Sequence, residues 1–153
     1  MGKSEIKKII DYVLVKLLKN DSDILEIDIN ERTISHRFAV YLEKYFDDWS
    51  VDCEYNRDHD NKKTLNIDPS SIETNDTNAQ TVFPDIIVHK RRTDENLLVI
   101  EMKKSTNTNS DNRDKDIKKL RAFKRELNYQ FAVFINIGVD DNSGKNTVEF
   151  IEV

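Results

Sequence analysis

Pro84-Asp85-Ile86-Ile87-Val88 and, beyond a charged turn, Val99-Ile100-Glu101-Met102-Lys103-Lys104 are the two runs that decide how this chain folds. Each is short, rich in β-branched residues and bounded by polar ones, which is the pattern of a strand. The strands are predicted over 83–89 and 97–103, joined by a turn at 90–96. A hairpin centred near Thr93 opposes Asp85 to Glu101 and Ile87 to Val99. Opposed residues share a face and side chains alternate along each strand. Asp85, Glu101 and Lys103 therefore project from one face, while Ile86, Val88, Ile100 and Met102 fill the other. Opposed Cβ atoms lie about 5 Å apart, so the two carboxylates repel unless a cation sits between them.

Working outward, helical spacing of Ile6, Ile9, Ile10, Val13, Leu14, Leu17 and Leu18 predicts a helix over 4–19, with Ser4 as its cap. Residues 20–30 are acidic and ambiguous. A second helix is expected over 31–47, with Ile34, Phe38, Tyr41, Leu42 and Tyr45 as its apolar stripe. Alternation over 50–56 predicts a strand with Val51, Cys53 and Tyr55 on one face. The segment 57–81 is polar, rich in Asn, Asp, Ser and Thr, and reads as a long loop. After a polar connection, a basic helix is expected over 113–127, burying Ile117, Leu120, Phe123 and Leu127. The apolar run 129–137 reads as a strand buried on both faces. A turn at Asn142-Ser143-Gly144 then returns a last strand over 147–153. The result is a mixed α/β chain, expected to form a single domain over 1–153.

Composition narrows the function classes. The chain has 153 residues, 37% of them apolar and 35% charged, enough for a core without staples. One cysteine, Cys53, rules out a disulfide framework and cysteine-pair zinc sites. No apolar run approaches a membrane span of roughly 20 residues, and no secretory leader is apparent, so no membrane partner and a cytoplasmic location are expected. The net charge of −5 is unevenly spread: 90–125 carry 12 basic and 6 acidic side chains, against 11 and 18 in 1–89. The basic middle is either a phosphate-facing surface or a solvated helix face.

Paired carboxylates beside a lysine suit a hard divalent cation, since Mg²⁺ is commonly held by one or two carboxylates plus a substrate phosphate. The Lys103 ammonium would orient or help deprotonate an attacking water, or neutralise a phosphate in the transition state. The competing reading is a turn carboxylate and a surface carboxylate, with Lys103 pairing one of them. The order helix, strand, strand, strand, helix, strand, with Pro84-Asp85 and Glu101-x-Lys103 on consecutive strands, resembles the PD-(D/E)xK nuclease superfamily over about 30–137. That resemblance implies a restriction-endonuclease-like αβββαβ core with an extra N-terminal helix and a C-terminal strand. It also implies a metal-dependent deoxyribonuclease using Mg²⁺, with Mn²⁺ as substitute, in which Asp85 and Glu101 are ligands and Lys103 is the catalytic lysine.

In that superfamily the first core helix often adds a glutamate to the metal site, and Glu31 is the matching residue. Its spacing from Phe38, Leu42 and Tyr45 independently turns it inward, the alternative being a cap at the helix start. His36 and Arg37 lie on the same helix and are candidates to meet a scissile phosphate. Lys104, Lys115, Lys118 and Lys119 are candidates to grip a nucleic-acid backbone. His89 lies too far along the strand from Asp85 to share its metal and reads as structural. No Gln-x-x-x-Tyr pattern follows Lys103, which argues against the exonuclease branch related to RecB. DNA is the expected substrate, with RNA as the alternative. Two other readings remain: a nuclease-like binding or interaction module without turnover, and a subunit active only as a homodimer or in a larger assembly.

Overall fold

A computed structural model of the chain describes residues 1–55, 64–66, 79–81 and 83–153. The element order is α1 (Lys3–Glu26), α2 (Glu31–Glu43), β1 (Ser50–Cys53), β2 (Thr64–Asn66), β3 (Ala79–Thr81), β4 (Ile86–His89), β5 (Asn96–Lys104), α3 (Ser110–Leu127), β6 (Phe131–Ile137) and β7 (Thr147–Phe150). Five strands form one mixed sheet in the order β1-β4-β5-β6-β7, so the chain is α/β with a mixed sheet, an N-terminal helix and a C-terminal strand, as expected. Only β5 and β6 are parallel, with α3 as the crossover between them; every other neighbouring pair is antiparallel.

The β4–β5 hairpin has the expected register where it matters. Ile86 faces Ile100, Ile87 faces Val99 and Val88 faces Leu98, and the ladder slips by one residue only at the far end, where His89 meets Asn96. Alternation then sorts the two faces. Ile86, Val88, Leu98, Ile100 and Met102 join Ile6, Ile10, Leu17, Phe38 and Leu42 in a core beneath α1 and α2. Ile87, Val99, Ala132 and Phe134 join Leu120, Phe123 and Tyr129 in a second core beneath α3. Helices thus cover both faces, and β5 and β6 are buried from either side.

Several local expectations are corrected. α1 runs seven residues past the predicted end at 19, because Leu25 also finds the core; Asp21 leaves helical geometry and bends the helix there. Its cap is Gly2, whose N–H donates to the Glu5 carboxylate, so Ser4 lies inside the helix. α2 stops at Glu43, which leaves Tyr45 exposed instead of in the apolar stripe. β1 ends at Cys53 because Glu54 adopts a left-handed backbone, φ 50°. That twist breaks the predicted alternation: Val51 packs beneath α1 and α2, whereas Tyr55 packs against the α3 side. Within the segment read as a loop, β2 and β3 form an antiparallel ribbon lying beside α3, while the rest of 57–81 is outside the described residues. Among the described residues no helix is long and apolar enough to cross a membrane.

Phe123 carries the attachment of α3. It is fully buried and meets Tyr129 edge to face at 5.6 Å. Phe123→Ala is expected to lower the unfolding free energy by about 3–5 kcal/mol, measured by urea titration, because the sheet below leaves a cavity instead of collapsing.

Candidate active site

The site forms where β4 begins and β5 ends. Because the β4 ladder starts at Ile86, the Met102 N–H has no backbone acceptor across the hairpin, and Asp85 Oδ2 accepts from it at 2.8 Å. This bond aims the carboxylate back at β5. Glu101 is 2% exposed, deep in the central strand. Burial, then the charge of Asp85, push its carboxyl well above the usual range; Lys119 pulls the other way and does not win. A hydrogen bond with Asp85 favours the protonated form further. The opposed carboxylates predicted from the strand register are therefore together, and their mutual repulsion disfavours ionisation of Glu101.

Two residues on, Lys103 shares the face of Glu101. Its Nζ lies 2.9 Å from Asp116 Oδ2 and 4.0 Å from Glu31 Oε1. Burial favours loss of its proton, yet contact with Asp116, with the charges of Glu31 and Asp85 behind it, outweighs burial and raises the pKa. Lys103 is thus a committed ammonium, suited to holding an anion or orienting water and poorly suited to taking a proton.

Glu31 opens α2, but it is not the cap. Asn30 takes that role by accepting from the Thr33 N–H at 2.9 Å. Glu31 Oε2 instead accepts from the Lys104 N–H at 3.0 Å. It therefore enters the site beside Lys103 and not as a third carboxylate on the Asp85–Glu101 pair. Among the described residues no group of three or more carboxylate, imidazole or thiol side chains converges on one point.

Two residues of α3 complete the constellation. Asp116, which holds Lys103, was not singled out from the sequence, although its four- and seven-residue spacing to Leu120 and Phe123 is the signal that pointed to Glu31. Lys119, assigned from the sequence to a nucleic-acid backbone, is turned inward: its Nζ lies 2.8 Å from Glu101 Oε1 and donates to the Phe83 carbonyl at 3.1 Å. Glu101 Oε1 and Asp116 Oδ2 are nonetheless buried without an aligned hydrogen bond, since both ammonium contacts are close but off angle.

The remaining candidates separate. His36 lines a cavity of about 370 Å³ together with Glu31, Arg32, Ser35, Cys53 and Asp85, so it adjoins the site. Arg37 is engaged by the Tyr41 hydroxyl at 2.9 Å and by Asp21. Lys104 points to the opposite face and pairs with Asp28 at 3.1 Å, as alternation requires. Lys115 is exposed and Lys118 half-buried on α3, and neither makes an ion pair with the described residues. His89 is buried with Nε2 2.7 Å from Asp52, which also clamps Arg91, so it locks β1 to β4. Partial desolvation and the charges of Asp85, Glu54 and Asp52 push the Cys53 thiol up to about 11, which disqualifies it as a nucleophile at neutral pH.

Asp85 and Glu101 are the two side chains placed to hold a divalent cation, should one bind. Four carboxylates (Glu31, Asp85, Glu101, Asp116) face two ammonium groups (Lys103, Lys119), leaving an excess of two negative charges when all are ionised. Two adjacent carboxylates are what Mg²⁺ commonly takes from a protein when substrate and water complete its shell.

Without such a cation the pair has a pH signature. The folded pKa of Glu101 is raised above its unfolded value near 4.5. Its contribution to stability is therefore full below about pH 4.5 and declines as pH rises through the folded value. In metal-free buffer, Glu101→Gln is expected to flatten that decline, followed as melting temperature against pH. No known protein family matches this chain, and neither does any curated protein or solved structure.

Proposed function

We propose that the chain is a divalent-metal-dependent nuclease that hydrolyses DNA phosphodiester bonds by in-line attack of water. The observation that carries this reading is the buried Glu101 beside the half-buried Asp85, with the Lys103 ammonium two residues along the same face. Mg²⁺, or Mn²⁺ in its place, supplies Lewis-acid polarisation and charge neutralisation at the phosphate. Asp85 and Glu101 hold it. Lys103, clamped by Asp116, presents a fixed positive charge to the phosphate or the attacking water. Glu31 adds its charge beside Lys103 and acts as an accessory, water-positioning group. Lys115 and Lys118 of α3 grip the sugar-phosphate backbone, and His36 approaches the strand from the cavity at Asp85. A small single domain favours internal cuts over processive digestion.

One observation favours a second reading, a binding module on the same fold without turnover: the Lys119 ammonium already supplies Glu101 with a positive charge. A DNA panel separates the two. Supercoiled, linear, single-stranded and branched substrates are incubated with Mg²⁺ or Mn²⁺, with EDTA as control. Cutting that requires metal, and that falls by about 10²–10³-fold in Asp85→Ala and Lys103→Ala, is expected. No cutting of any substrate, with DNA still bound, would favour the module.

Asp116→Asn is expected to slow cleavage and to move the alkaline limb of its pH profile downward. The sign follows from Lys103: losing the carboxylate that raises its pKa lets the ammonium discharge at lower pH. Lys115→Ala and Lys118→Ala are each expected to reduce the salt slope of DNA binding by about 0.9 while leaving sequence preference unchanged.

A further inference from the structure

We infer that Lys119 is the resident counter-ion of Glu101 and that a divalent cation enters the Asp85–Glu101 site in exchange for it. This rests on the metal-dependent reading above and concerns how that site is kept ready. Lys119 reaches in from α3 and brings its ammonium to 2.8 Å from Glu101 Oε1, the same buried oxygen that lacks an aligned hydrogen bond. The contact is an ion pair at hydrogen-bonding distance, with the ammonium standing where a metal ion on that oxygen would also have to sit. Its other anchor, the Phe83 carbonyl at 3.1 Å, lies just ahead of Pro84-Asp85, so the ammonium bridges β5 and the segment that leads into β4.

Two cations on one buried oxygen would lie at contact distance in a medium that screens poorly, so the second displaces the first. Lys119 is able to leave. Its side chain is 20% exposed, whereas that of Glu101 is 3% exposed, and four methylenes allow the ammonium to swing to solvent while the carboxylate stays. Lys103 is not equivalent, because its partner Asp116 belongs to the protein and remains after a cation has bound. Lys119 therefore offsets part of the charge of Glu101 until a metal ion binds, and sets a threshold for loading. Once released beside Lys115 and Lys118, it adds a positive charge to the face of α3 that meets phosphate.

Calorimetric titration with Mn²⁺ and thermal unfolding, with and without Mn²⁺, test this on wild type, Lys119→Gln and Lys119→Arg. Lys119→Gln is expected to bind Mn²⁺ at least about tenfold more tightly and to melt lower than wild type in EDTA, with the deficit recovered by Mn²⁺. Lys119→Arg, which keeps the charge, is expected to bind like wild type. Equal or weaker binding by Lys119→Gln, with wild type still binding, would overturn the exchange and leave the metal reading standing. Absence of binding in all three proteins would overturn both. Should Lys119→Gln fail to fold without metal, Glu101→Gln/Lys119→Met provides the neutral pair. It is expected to fold in EDTA and to bind at least about tenfold more weakly than wild type; wild-type affinity in that protein would overturn the exchange.

Discussion

A carboxylate in the centre of a sheet, 2% exposed, demands a proton or a cation, and the surroundings of Glu101 are organised around that demand. Burial is the largest influence on it and the neighbouring Asp85 charge the next, both opposing ionisation; the Lys119 ammonium reduces the effect without cancelling it. The strand cannot relieve this by turning away. β5 is paired on both edges and covered by helices on both faces, so its register holds Glu101 in place. The charge is met instead by side chains brought to it, from α3 on one side and from the start of β4 on the other.

The sheet topology explains why α3 is the supplier. A parallel β5–β6 pair requires a crossover, and the crossover helix lies over the face on which Glu101 and Lys103 project. Asp116 and Lys119, one turn apart on that helix, meet Lys103 and Glu101, two residues apart on the strand, in complementary pairs. α2 contributes from the opposite layer. Asn30 caps it, which frees the first helical side chain, Glu31, to bind the Lys104 N–H and reach Lys103 from the far side. Three elements distant in sequence thus converge on one end of one strand.

Much of this was legible beforehand, for identifiable reasons. The β4–β5 register followed from two short apolar runs and a turn, since a period of two leaves little freedom once one face must be buried. Helical spacing turned Glu31 inward, as found, but did not show that its partners would be Lys103 and the Lys104 N–H. What was missed shares a cause: a left-handed residue or a local pairing that periodicity does not encode. Glu54 turns the chain and sends Tyr55 to the other face, and β2–β3 form inside a stretch whose polar composition resembles a loop. Lys119 was read as a surface lysine because composition treats every lysine of a basic helix alike.

The chain's sequence by itself determined the alternation of helices and strands, the faces each would bury, and the opposition of Asp85 to Glu101, because local periodicity and hairpin geometry act over a few residues. Only the tertiary structure decided which charges meet Glu101 and Lys103. Partners for Lys103 and Glu101 come from a helix whose rotation over the sheet is set by the packing of Leu120, Phe123 and Tyr129, and that angle is a property of the assembled core.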